Sequence, residues 1–387
     1  MITSREPCVA RSIFTSMAMV NAGVTPAEEQ TTSPLATEFR QVMGGLDVSE
    51  NATLDAMRHL SDGFVADVDG PVNMVAANSI WTRNGGLKPE YVAAMQKHFD
   101  AKVDELPEKA APMNGWVSNK TNGNINDLLT DDIVRDPLLR VVIINAVYFK
   151  GAWRRKFDKQ QTQQAPFLGG FGEEMVQMMS METKMQVVIL EEGAAAVGLP
   201  YGAEGSTVDV RAVVYLPPMP KLSDADVEGE PDMKMMGKVA AAEAAKVARS
   251  MTPAEWAELS KQLYDPENTR KAVLSMPKFK VEYGATDVSD GLRGMGLKEA
   301  FEGRDGFLGM SDDRDLHLSK VIHKAVLEVN EEGTVATAAT AATMNTRSIS
   351  RPIAVNLDRP FLFFIEEVKS GALLFAGIIS STGSKNA

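Results

Sequence analysis

Few residues in this chain carry the means for covalent chemistry, and those few are not arranged for it. The four histidines, His59, His98, His317 and His323, are scattered and show no metal-ligand spacing. No GxSxG elbow, HExxH, P-loop or GxGxxG occurs, so serine hydrolysis, zinc proteolysis and nucleotide binding each lack their signature. Asp312, Asp313 and Asp315 gather carboxylates that suit a cation or, more simply, a solvated turn. The methionine-rich stretch 175–185 reads as sheet or core packing rather than a ligand groove. No cofactor and no metal are expected, and a hydrolase with an unrecognised site is the weakest of the readings kept open.

Another segment points to a change of shape rather than to bond chemistry. Residues 324–330 (KAVLEVN) pattern as a strand and are followed by Glu331, Glu332 and Gly333. Every residue from Thr334 to Thr343 is then Ala, Thr or Val. Such a run lacks the large side chains that anchor a core, and also the charge and Pro/Gly content of a simple linker. Thr and Val favour strands, and Ala fits between close neighbours. At period two, Thr334, Ala336, Ala338, Thr340 and Ala342 share one face, and Val335, Thr337, Ala339 and Ala341 the other. The run suits a loop that is exposed in one state and a central strand in another; composition alone also suits a low-complexity surface loop.

The elements that must position this run alternate between helix and strand. Apolar spacing predicts helices over 53–64 and 89–99 and a buried helix within 13–24. Strands are predicted over 141–148, 207–216, 272–281, 353–365 and 372–379. Residues 224–232 are acidic and contain Gly and Pro, which reads as a solvated loop. Residues 240–249 and 253–263 are strong helix formers. Thr252 is the expected N-cap of the second, with Pro253 at its first position and Glu255 closing a capping box. Long strands mixed with helices, without a β-α-β rhythm, predict an α+β fold with large antiparallel or mixed sheets.

Bulk composition narrows the partners. The chain has 387 residues, 44% of them hydrophobic, enough for a large core. Forty Lys and Arg against 52 acidic residues give a net charge of -12, which disfavours nucleic acid and anionic membranes. Cys8 is the single cysteine, so no intrachain disulfide forms. No apolar run approaches the roughly 20 residues that span a bilayer. The N-terminus offers no clean signal peptide. An extracellular location is expected if the N-terminus is incomplete, and a cytoplasmic one otherwise.

Five motifs, in order, resemble those of the serpins. Asn145-Ala-Val-Tyr-Phe-Lys-Gly-Ala-Trp153 followed by Phe157 resembles the family's central-sheet motif. Residues 355–365 (VNLDRPFLFFI) resemble its C-terminal signature, and 319–333 (SKVIHKAVLEVNEEG) the strand that leads into its hinge. Residues 116–129 (WVSNKTNGNINDLL) and Met276-Pro277-Lys278-Phe279 are further matches. The resemblance covers nearly the whole chain. It implies a single serpin domain over 1–387, with a large, mostly antiparallel central sheet, a second sheet or barrel, surrounding helices and an exposed reactive-centre loop.

The resemblance also assigns roles. Residues 331–352 become hinge and reactive-centre loop, with Glu331, Glu332, Gly333, Thr334, Ala336, Ala338, Ala339 and Thr340 as hinge residues. Lys278 becomes the partner of Glu331 at the top of the sheet, and Gly333 the point where the loop swings. The family's loop length puts the scissile bond at Arg347-Ser348, which implies a trypsin-like, Arg-specific serine protease as partner. Arg351 is second choice, because Pro352 hinders cleavage after it. Ser12, Asn145 and His323 would form the polar shutter under the sheet, and Trp153 the aromatic lid of the breach where insertion begins. The implied activity is suicide inhibition: acyl-enzyme formation, loop insertion and covalent trapping of the protease. A non-inhibitory chaperone or carrier is the alternative. The match begins near Val9, so the family's first helix is nearly missing, and 221–263 reads as a helical insertion. No Lys/Arg cluster marks a glycosaminoglycan site, and a monomer is expected.

Overall fold

Long strands with both faces apolar need cover on each side, and the chain provides it with two stacked sheets and a helical coat. The computed structural model describes residues 10–24, 33–43, 58, 72–83, 86–203, 209–219, 232–303, 306–334 and 351–382. The helices are α1 (Ala10–Asn21), α2 (Pro34–Val42), α3 (Pro89–Phe99), α4 (Ala111–Lys120), α5 (Asp131–Val134), α6 (Met233–Ser250), α7 (Pro253–Tyr264), α8 (Ser289–Gly294) and α9 (Glu299–Glu302). The first seven strands are β1 (Val72–Thr82), β2 (Lys102–Glu105), β3 (Val141–Ala152), β4 (Gln163–Gly169), β5 (Gly172–Ile189), β6 (Ala195–Pro200) and β7 (Val210–Leu216). The rest are β8 (Thr269–Pro277), β9 (Phe279–Asp287), β10 (Leu318–Asn330), β11 (Gly333–Thr334), β12 (Ile353–Asn356), β13 (Phe361–Glu367) and β14 (Ala372–Ile379).

The central sheet runs β2-β1-β3-β11-β10-β9. Its β1–β3 and β9–β10 ladders and both edges of β11 are antiparallel, while β1–β2 and β3–β10 run parallel. β11 is two residues long, so β3 and β10 lie against each other directly over most of their length, from Leu318 opposite Val141 to Val326 opposite Tyr148. The second sheet runs β12-β8-β5-β6-β7-β13-β14, with β4 on β5. One core fills the space between the sheets, where Val147, Phe149, Ala325, Leu327 and Val329 meet Phe167, Val197, Val214, Leu274 and Phe363. On the other face of the central sheet, Met113 and Val117 of α4 and the segment through Ile125, Leu128 and Leu129 cover Val142, Ile144 and Ile322.

Several local expectations hold to the residue. α3 spans 89–99 with Pro89 in its first turn. α7 has the Thr252–Glu255 capping box, which leaves Trp256, Leu259 and Leu263 facing the second sheet. Burying each contributes about 1.5–3 kcal/mol. α1 is buried through Met17, Ala18, Met19 and Val20.

Two predicted strands are each two strands in fact. Within 272–281, Pro277 ends β8, the Lys278 N–H is taken by the Gln177 carbonyl, and the chain resumes as β9 in the other sheet. Residues 353–365 divide into β12 and β13 around Asp358-Arg359-Pro360, where proline cannot donate to a ladder. The predicted helix 53–64 lies outside the described residues apart from Arg58, and so does the acidic stretch up to residue 231. The rest of 221–263 supplies α6 and α7.

Candidate functional site

The strand β10 turns back on itself through Glu331 and Glu332, a two-residue connection that pairs Asn330 with Gly333 and Val329 with Thr334. Gly333 and Thr334 also pair with Ala152 and Gly151 of β3, so this stub separates the upper ends of β3 and β10. The turn needs glycine: Gly333 has φ 139°, and a Cβ there would lie 2.1 Å from the Gly151 carbonyl oxygen. Thr334 is fully buried, its Oγ1 3.0 Å from the Tyr201 hydroxyl. Burial pushes the Tyr201 phenol up, so that hydroxyl stays protonated.

Trp153 covers this end of the sheet. Its ring stacks on Tyr201 at 4.4 Å and an interplanar angle of 11°. Its indole Nε1 donates to the Asn330 carbonyl at 2.9 Å, and its backbone N–H donates to the Glu332 carbonyl at 2.9 Å. The Phe157 N–H takes the Glu331 carbonyl at 2.9 Å, so both turn carbonyls are satisfied by the chain that follows β3.

The two glutamates are held separately. Lys278 Nζ lies 3.1 Å from Glu331 Oε2, and Thr162 Oγ1 donates to Oε1 at 2.8 Å. Burial alone would raise the Glu331 carboxyl, but bonds from backbone, Thr162 and Lys278 hold it below the usual carboxylate range. Glu332 receives Lys156 at 2.6 Å and Lys159 at 3.0 Å, and the hydrogen bonds from these two ammonium groups lower its pKa. Each glutamate is therefore ionised at neutral pH and pinned beside the turn.

Further down the same gap sits a polar lock. His323 on β10 stands opposite Asn145 on β3. Its Nδ1 lies 3.0 Å from Asn145 Oδ1, which can only accept, so the proton is on Nδ1. Asn145 Nδ2 donates to Asn78 Oδ1 at 2.6 Å, and Asn78 Nδ2 to the Phe99 carbonyl at 3.0 Å. Desolvation pushes His323 down to about 4, so it is neutral at pH 7.

The structure thus brings together Glu331, Glu332, Gly333, Thr334, Trp153 and Lys278 at the top of the sheet, and Asn145 with His323 beneath. Ser12 lies in α1, with its side chain outside the described residues. Ala336, Ala338, Ala339, Thr340, Arg347 and Ser348 also lie outside them. Arg351 is described and exposed, just ahead of β12. Sequence reasoning missed Asn78, Lys156, Lys159, Thr162 and Tyr201. Asn78 carried a partial signal, as an amide directly after the apolar run 74–77; the others are ordinary until the fold sets them around the turn.

Known proteins with the same pattern fall in one group. The family model described as serpin, serine protease inhibitor, matches residues 9–382. Serpin B10 of Sorex araneus is 32% identical over 339 residues, covering 84% of this chain and 78% of its own. Serpin B6 of Macaca fascicularis is 37% identical over 295 residues, covering 74% and 70%. The native stressed conformation of Arabidopsis AtSerpin1 superposes with a TM-score of 0.75 at 23% identity, over 99% of this chain and 93% of that one. With the family model spanning nearly the whole sequence and the two-sheet architecture shared, this chain belongs to the serpins, the family of serine protease inhibitors.

Proposed function

We propose that this serpin is a suicide-substrate inhibitor of a trypsin-like serine protease, cleaved at Arg347-Ser348. The observation that carries the reading is the parted top of β3 and β10, with Gly333 and Thr334 between them and uniformly small residues following. The guanidinium of Arg347 suits a specificity pocket with a buried carboxylate. The protease serine attacks the Arg347 carbonyl carbon, an ester forms, and the amine of Ser348 leaves with the C-terminal piece. Residues 335–343 then continue β11 between β3 and β10 and carry the esterified protease along. Distortion of the protease's oxyanion hole and triad stops deacylation, which requires both. The chain itself performs no catalysis in this scheme.

Mixing the protein with trypsin is expected to give an SDS-stable adduct of one chain with one protease, and Arg347→Glu to abolish it. Clean cleavage after Arg347 without an adduct would overturn the inhibitory reading in favour of a carrier or chaperone.

A further inference from the structure

Beside the hinge, on the side of Trp153 that faces the second sheet, lies a cavity of about 280 Å³. It is lined by Trp153, Arg154, Arg155, Lys184, Asp209 and Arg211, among others. At about 30 Å³ per water this is room for roughly nine waters, enough for a small organic or inorganic anion.

The charges around it are poorly matched, in a protein whose net charge is -12. In the β5–β8 ladder Lys184 stands directly opposite Lys271. Like charges placed opposite one another destabilise a sheet. Lys271 is relieved by Glu182 at 2.6 Å. Among the described residues, Arg155 and Lys184 meet no carboxylate. Arg155 instead uses Nη1 on Thr183 Oγ1 at 2.6 Å and on the Lys184 carbonyl at 3.3 Å, which fixes the guanidinium at the cavity wall.

Deeper in, Arg211 is neutralised by Glu366 and satisfied by the carbonyls of Leu263 and Ser260. Arg154 is less well served. Its Nη2 reaches Asp209 only at 3.7 Å and the Tyr201 carbonyl at 3.4 Å, and its Nε is buried without an acceptor. That Nε is shut off from the cavity, so an incoming oxyanion would be met by the Nη donors, which are only weakly paired.

From the cavity, the opposed lysines and the under-served Arg154, we infer that this pocket is an anion site for a small molecule bearing two or more carboxylate or phosphate groups. Arg154 and Arg155 would bind its oxygens through their forked donors, and Lys184 would act as a point charge at the mouth. Trp153 forms one wall, so occupancy alters the environment of its indole. The inference stands whether or not Arg347 is the bait residue.

Isothermal titration and tryptophan emission on the full chain, with citrate and pyrophosphate as separate probes, test it. Ionic strength is held constant with sodium chloride. Saturable binding of either probe is expected, accompanied by an emission change and a raised melting temperature. Binding of one probe alone tells which of the two groups the site takes. Lys184→Gln removes an exposed side chain with no hydrogen bond to another described residue, and Arg155→Gln removes the wall guanidinium. Each variant, its melting curve otherwise like the parent's, is expected to weaken binding at least 10-fold. Saturation by neither probe, reproduction of the effect by sodium chloride alone, or unchanged affinity in both variants would overturn the assignment.

Discussion

His323 shows how much one buried residue ties stability to pH. Its folded pKa of about 4 lies below the ordinary value of 6.5, because burial disfavours the imidazolium. Between these values the unfolded chain takes up the proton and the folded chain refuses it, so stability falls as pH drops from 6.5 towards 4 and is fully present above that window. By pH 5 the loss from this residue is about 2 kcal/mol, at about 1.4 kcal/mol per pKa unit. His323→Gln, whose amide can still donate to Asn145, is expected to flatten that part of the profile. Urea midpoints at pH 7 and pH 5 check this; equal pH dependence in both proteins would remove His323 as the source. Glu331 and Glu332 act in the opposite part of the scale. Their lowered pKa values keep the turn's ion pairs intact until pH falls below the usual carboxylate range. At this scale the sequence was informative where the family motif named a residue, as for Lys278 and Asn145. It was silent on Thr162 and Lys159, whose roles come only from the turn they surround.

At the scale of elements, β11 would set the path of insertion under the proposed inhibitory mechanism. If the pairing of Gly333 and Thr334 is extended residue by residue, Ala338 falls opposite Val147 of β3 and Ala325 of β10. Both side chains belong to the core between the sheets. A carboxylate there would be buried without a partner, at a cost of several kcal/mol. Ala338→Glu is therefore expected to leave the folded protein intact but convert it from inhibitor to substrate, read as loss of the SDS-stable adduct with cleavage retained. Stoichiometric inhibition by the variant would sink the insertion path. Capping and periodicity made α3 legible to the residue and α7 to within one, because those signals are local. The breaks at Lys278 and at Asp358 were not, since alternation looks the same on both sides of a crossover and only the partner strands differ.

For the whole molecule, the direct contact of β3 with β10 is where the proposed mechanism would add a strand. Parallel neighbours so far apart in sequence, Val141 with Leu318, leave no local trace, and the pairing was not read from the sequence. Filling the gap with about ten residues, at about 1 kcal/mol per net ladder hydrogen bond, would add stability on the order of 10 kcal/mol. For a chain this large, about 2 °C per kcal/mol translates that into a rise on the order of 20 °C in melting temperature. Calorimetry before and after a single nick beside Arg347 checks it, and an unchanged melting temperature would mean that no strand had been added. The tight turn at Glu331-Glu332 has one more effect. Under the proposed mechanism it would make insertion a zipper whose first two teeth are already engaged, which lowers the loop-closure entropy opposing the start. Counting along that zipper from either neighbouring strand, the tooth that reaches Asn145 and His323 is Thr340. On that proposed path its hydroxyl would arrive between the two side chains, able to offer each a new hydrogen-bond partner.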